Sequence, residues 1–145
     1  VSNHRDATIQ DWGEIREGAE LKRTLAKMAL DNLRAEGKTV LGVAASTKAN
    51  TVLQWYGIGP ELITAIVDVA PEKLGRFTVG TRIPIISEAE AQAMKPDVYV
   101  ALAWHFLDGL RQRSPDVPFL TLLPEVQMHP AWNAQAARIG AVAGA

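Results

Sequence analysis

The chain has 145 residues, a formal net charge of -1 and no cysteine, and this length suits one domain able to bury a core. A near-neutral balance gives no general attraction to nucleic acid or to anionic membranes. The lack of cysteine excludes disulfides, thiolate metal sites and cysteine nucleophiles. No apolar run approaches the ~20 residues of a membrane helix, and the opening VSNHRD is not a signal peptide. Neither nucleic acid nor membrane is an expected partner, and a cytoplasmic location is expected.

Between Asp11 and Glu36 charges are dense, and Ile15, Leu21, Leu25, Met28 and Leu33 recur near helical spacing before the stop at Gly37. The pattern predicts one long amphipathic helix with a break near Gly18. From Thr39 to Ala70 only Lys48, Glu61 and Asp68 carry charge. The apolar run Thr39 to Ala45 therefore predicts a strand buried on both faces, as in a parallel sheet. It leads directly into a helical segment that ends at Gly57. A second strand is expected from about Ala65 to Val69, and the turn-rich Pro71 to Pro84 reads as a loop with a short extended piece at Arg82 to Ile86. Ser87 with Glu90 forms a capping box opening a helix over Glu88 to Met94. Val98 to Ala103 is a third strand, Phe106 to Arg113 a helix, and Val117 to Leu123 a fourth strand. After Pro124 the pattern weakens into an Ala/Gly-rich end expected to fray.

This alternation predicts an α/β, Rossmann-like three-layer domain, with a mostly parallel sheet of four to five strands and an extra N-terminal helix. The expected division is a helical segment over 1–38, a core over 39–126 and a tail over 127–145. Ligands of such sheets bind beyond the carboxyl ends of the strands, which selects Ser46 to Thr51, Asp68 to Pro71, Trp104 with His105, and Pro124 with Glu125.

Lys48 falls in a first helical turn, where the partial positive charge of the helix disfavours a cation unless an anion is bound. Ser46, Thr47, Asn50 and Thr51 add side-chain donors and helix caps; a solvated lysine beside an ordinary cap is the equal alternative. The turn is neither GxxxxGK[ST] nor GxGxxG, because Ala44, Ala45 and Ala49 stand where glycines would be needed. That absence argues against a nicotinamide site. Asp68 ends the second strand about 20 residues further on, where an acid binds ribose hydroxyls, or serves as a turn cap. Trp104 and His105 could stack on a base and bond a phosphate, or be core residues. Arg76 and Arg82 could pair with phosphate from their loop, or be solvated. His4, His105 and His129 lack metal-ligand spacing, and no GxSxG is present. By itself the chain offers a binding pocket more readily than a catalytic one.

Several ordered motifs resemble the C-terminal domain of nucleotide-sugar C-methyltransferases. They are Ala45 with Lys48, Asn50 and Thr51; Tyr56, Gly57 and Ile58; Val67, Asp68, Pro71, Lys73 and Gly75; Gly80, Ile83, Pro84 and Ile85; and Trp104. The resemblance covers about two thirds of the chain. It implies a Rossmann-like domain that forms one wall of a sugar-nucleotide site through Ser46, Lys48, Asn50, Thr51, Asp68, Trp104 and His105. It also implies that S-adenosylmethionine is bound by a companion methyltransferase domain, in cis or in trans, which holds the catalytic tyrosine, glutamate and histidine. No cofactor and no catalytic residue is then expected in this chain. Ala49 stands where the family has glycine, and its methyl group is expected to crowd a phosphate approaching the backbone. His105 stands in place of the family's asparagine. The alternative is a stand-alone interaction or small-ligand domain without catalysis. Its partner surface would be the Leu21, Leu25 and Met28 stripe, and a homodimer is one association open to it.

Overall fold

The structure is a computed structural model that describes the backbone of residues 9–133 and the side chains of 16–133. The Ala/Gly-rich end after Asn133 lies outside the described residues, as does the VSNHRD opening. The first element is α1, Ile9–Ala35, which is about 40 Å long at 1.5 Å per residue. It runs unbroken through Gly18, contrary to expectation. A single glycine costs a helix only about 1 kcal/mol, and the surrounding glutamate, alanine, leucine and lysine residues propagate it.

The sheet is built from β1 (Val40–Val43), β2 (Ala65–Val67), β3 (Ile85–Ile86), β4 (Val98–Ala101), β5 (Phe119–Thr121) and β6 (Gln127–His129). Their spatial order is β3-β2-β1-β4-β5-β6. The first five are parallel, and β6 pairs antiparallel with β5, with Leu120 opposite Met128. The sixth strand lies where the apolar pattern weakens, since an exposed edge strand needs no buried alternation. No described helix is long and apolar enough to cross a membrane.

The helices α2 (Thr47–Tyr56), α3 (Glu88–Ala93) and α4 (Leu107–Arg113) complete the layers, with 3₁₀ turns at Pro71–Lys73 and Trp104–Phe106. On one sheet face Val40, Ile66, Val98, Val100 and Leu120 pack with Ala26 and Leu30 of α1 and with Ala49, Val52, Leu53 and Tyr56 of α2. On the other, Leu41, Val67, Tyr99 and Phe119 meet Ala91 of α3 and Leu107 and Leu110 of α4. Gly42 sits at the centre of β1 because a methyl group there would come within 3.1 Å of both Ile66 Cγ1 and Leu102 Cδ1. The buried Tyr56 hydroxyl donates to the Leu122 carbonyl at 3.2 Å, tying α2 to the chain beyond β5.

The strand order sets the location of the site. From β1 the chain winds outward through β2 to β3, then crosses back to β4 on the opposite side of β1. The two directions diverge between β1 and β4, and the crevice above such a switch point is where doubly wound sheets hold ligands.

Candidate ligand-binding site

The loops leaving β1 and β4 meet at that switch point, joined by a 2.7 Å hydrogen bond from Leu102 N to the Val43 carbonyl. The β1 loop turns into α2 at Ser46, the N-cap, whose hydroxyl accepts from Ala49 N at 3.1 Å. The first turn of α2 contains no acidic side chain, and its leading N-H groups lie ahead of any intrahelical acceptor. This end is therefore positive in both dipole and side-chain charge. Lys48 is exposed there, with its ammonium 5.9 Å from the centre of the Trp104 ring, within the range of a cation-π contact.

Trp104 begins the 3₁₀ turn after β4 and is half-buried against the α2-side core. Its outer neighbour His105 is exposed, and the two rings lie 4.5 Å apart at 32°. The indole is thus held from below by the core and leaves its surroundings to Lys48 and His105. Asn50, one turn along α2 from the cap, has a buried side-chain oxygen with no hydrogen-bond partner among the described residues. A buried acceptor without a donor is uncommon, and a ligand hydroxyl or N-H would satisfy it.

The remaining expected residues do different work. The Thr51 hydroxyl donates back to the Thr47 carbonyl at 3.1 Å, within its own helix. Asp68 is 7% exposed. Its Oδ2 accepts from Ala45 N at 2.9 Å and its Oδ1 from Ala70 N at 2.9 Å. The Lys73 ammonium stands 3.8 Å from Oδ2 and donates to the Ala45 carbonyl at 2.7 Å. Asp68 and Lys73 together hold the N-H and the carbonyl of Ala45 and fix the turn that presents α2. Lys73 was legible in the sequence only as one member of a motif; its role depends on a contact across 28 residues.

Arg76 and Arg82 are both exposed. Their loop is fastened to the far half of α2 by the Gln54 amide, which donates to the Val79 carbonyl at 2.7 Å. Gln54 lies six residues beyond Lys48, about 9 Å along the helix, which sets Val79 and the tip of that loop away from the switch point. Ala49 also corrects the expectation attached to it. Its side chain is fully buried among the α2-side core residues, and its N-H is taken by Ser46. Its methyl group packs inward, away from any phosphate at the helix end.

A family model described as the C-methyltransferase C-terminal domain matches residues 7–118, more than half of the chain. The chain belongs to the C-methyltransferase C-terminal domain family. The C-methyltransferase NovU of Streptomyces niveus is 34% identical over 100 residues, a match that covers 69% of this chain and 24% of the relative. The chain thus spans about a quarter of the length of that curated relative. The matched region of this C-methyltransferase domain takes in α1 through α4 and every residue discussed at the switch point.

Proposed function

We propose that this domain binds a nucleotide-sugar at the switch point and orients it for methyl transfer from S-adenosylmethionine held by a companion methyltransferase domain, in cis or in trans. One observation carries the reading: the Lys48 ammonium at the first turn of α2, 5.9 Å from the Trp104 ring. An anion seated there meets a full charge, free backbone N-H groups and an aromatic face. The diphosphate would lie against Lys48 and the start of α2, with the base or sugar on Trp104 beside His105. The Asn50 oxygen would accept a hydrogen bond from the ligand. Ser46 and Asp68 support the site as the cap and clamp of the turn, and Thr51 stabilises the helix.

The domain's contribution to the reaction is positioning. Holding an acceptor sugar in one orientation converts an encounter into an arranged reaction, while the chemical step belongs to the companion domain. The reading places the protein in the cytoplasm, where nucleotide-sugars and S-adenosylmethionine are available. Calorimetry with UDP-glucose and other nucleotide-sugars tests it. Wild type should bind at least one of them, and Lys48→Ala should bind it about tenfold more weakly, the effect of one charge-assisted contact. Equal binding by the two proteins, or no binding by wild type, would remove this function.

A second reading has its own observation. Leu21, Leu25 and Met28 are 59%, 44% and 54% exposed on the side of α1 opposite Ala26 and Leu30. Such a stripe suits contact with a neighbouring domain or a second copy of the chain. Light scattering on this chain separates the two: a dimer dispersed by Leu25→Glu favours the second copy, and a monomer favours the domain.

A further inference from the structure

Packing is incomplete on the face of the sheet away from α2. A cavity of about 140 Å³ lies there between the ends of β1 and β2 and the helices α3 and α4. Its floor includes Val43, Val67, Tyr99 and Phe119, and Glu88 and Arg113 are among its other walls. It persists because α3 is only six residues long and buries nothing larger than Ala91. Its volume is about that of a cavity that holds benzene, although Asp68, Gln92 and Ser114 give its walls a polar share as well.

This cavity also has a polar feature. Tyr99 is 6% exposed, packs its ring 5.4 Å from Phe119, and its hydroxyl makes no hydrogen bond to any described residue. Burial, reinforced by the Glu88 carboxylate, raises its pKa above the ordinary value of 10.0. The phenol therefore stays protonated at neutral pH, and its hydroxyl, which is not a buried unpartnered atom, is open to donate to a ligand in place of water. Glu88 and Arg113 form an ion pair linking α3 to α4, with side chains 51% and 58% exposed. A pair so exposed contributes little stability and opens readily, and its opposite charges leave the rim electrically balanced.

We propose that this cavity is a second binding site, for a small uncharged ring, aromatic or alicyclic, bearing an oxygen that accepts a hydrogen bond from the Tyr99 hydroxyl. The apolar floor takes the ring, and each charge in the lining already has a partner, Glu88 with Arg113 and Asp68 with Lys73, which leaves little net attraction to an ion. Its lining shares Ala44 and Asp68 with the turn that presents α2 but includes neither Trp104 nor any residue of α2, so it is a different pocket from the one at Lys48 and does not rest on the nucleotide-sugar reading.

Amide NMR of the chain titrated with phenol and with cyclohexanol tests the proposal, the two arms distinguishing an aromatic from an alicyclic occupant. Either or both should shift the amides of Val43, Val67, Leu110 and Phe119, with a dissociation constant on the order of 1 mM. Tyr99→Phe, which keeps the cavity, should weaken binding about tenfold through loss of the hydrogen bond. Val43→Phe should abolish it by filling the space, and Leu110→Trp does the same from the helix side if that variant fails to fold. Lys48→Ala should leave it unchanged. No shifts with either compound, undiminished binding by Tyr99→Phe or by a folded filled variant, or loss in Lys48→Ala would each overturn the proposal.

Discussion

The ends of β1 and β2 are neighbouring strand ends that use their polar groups in opposite ways. At the end of β2 both carboxylate oxygens of Asp68 accept backbone N-H groups, and Lys73 closes the cluster. Beyond β1, the Lys48 ammonium rests near an aromatic ring, and the Asn50 oxygen is buried without a partner. A saturated polar cluster holds a shape, and an unsaturated one is ready for a ligand. Position at a carboxyl strand end selects both places, and only the inventory of hydrogen bonds separates them.

The sharpest way to break this contrast is to remove the clamp. Asp68→Ala leaves Ala45 N and Ala70 N without their acceptor and Lys73 without its counter-charge. Denaturant unfolding should show a loss of about 3 kcal/mol, in the range for buried hydrogen bonds to a charged group. A loss below about 1 kcal/mol would mean that the turn holds itself. Gly42→Val probes the strand feeding that turn. Forcing a side chain between Ile66 and Leu102 should cost about 2 kcal/mol by overpacking, read from the same unfolding curves.

Lys48→Ala should behave in the opposite way, changing unfolding free energy by no more than about 0.5 kcal/mol, as expected for an exposed side chain, while weakening nucleotide-sugar binding. A large loss of stability would place Lys48 in the structural class with Asp68. The smallest effect belongs to the β6 edge. His129 contacts the Thr121 hydroxyl at 3.2 Å, and burial, then the charge of Arg111, lower its pKa below the ordinary 6.5, against a smaller opposing pull from Asp108. Its depressed folded-state pKa means that the unfolded chain binds the proton more readily. The contribution to stability is therefore present above pH 6.5 and is lost as pH falls through the lower, folded-state value. Thermal melts between pH 7 and pH 5 (about the histidine range) should show that decline in wild type and in Lys48→Ala. The decline should be shallower in His129→Gln.

Much of the architecture is written in local pattern. The apolar run before Ser46, the capping box at Ser87 and the stop at Gly57 each fix an element by short-range physics, and the structure bears them out. The edge strand Gln127–His129 escaped because its residues are exposed or half-buried and show no apolar alternation. Within the candidate site, the sequence located the strand ends and named Lys48 and Trp104, while their proximity depends on the strand order that places β4 beside β1. The inward direction of Ala49 and the shared grip of Asp68 and Lys73 on the backbone of Ala45 were not readable. Each depends on which way a side chain faces once distant segments meet.

The account rests on ligand binding at the switch point, and a map of amide shifts on adding a nucleotide-sugar such as UDP-glucose tests it most directly. It predicts the largest shifts at Thr47, Lys48, Asn50, Trp104 and His105, with small ones at Arg76, Arg82 and along β6. Saturable shifts centred elsewhere, with Lys48 and Trp104 unmoved, would contradict it.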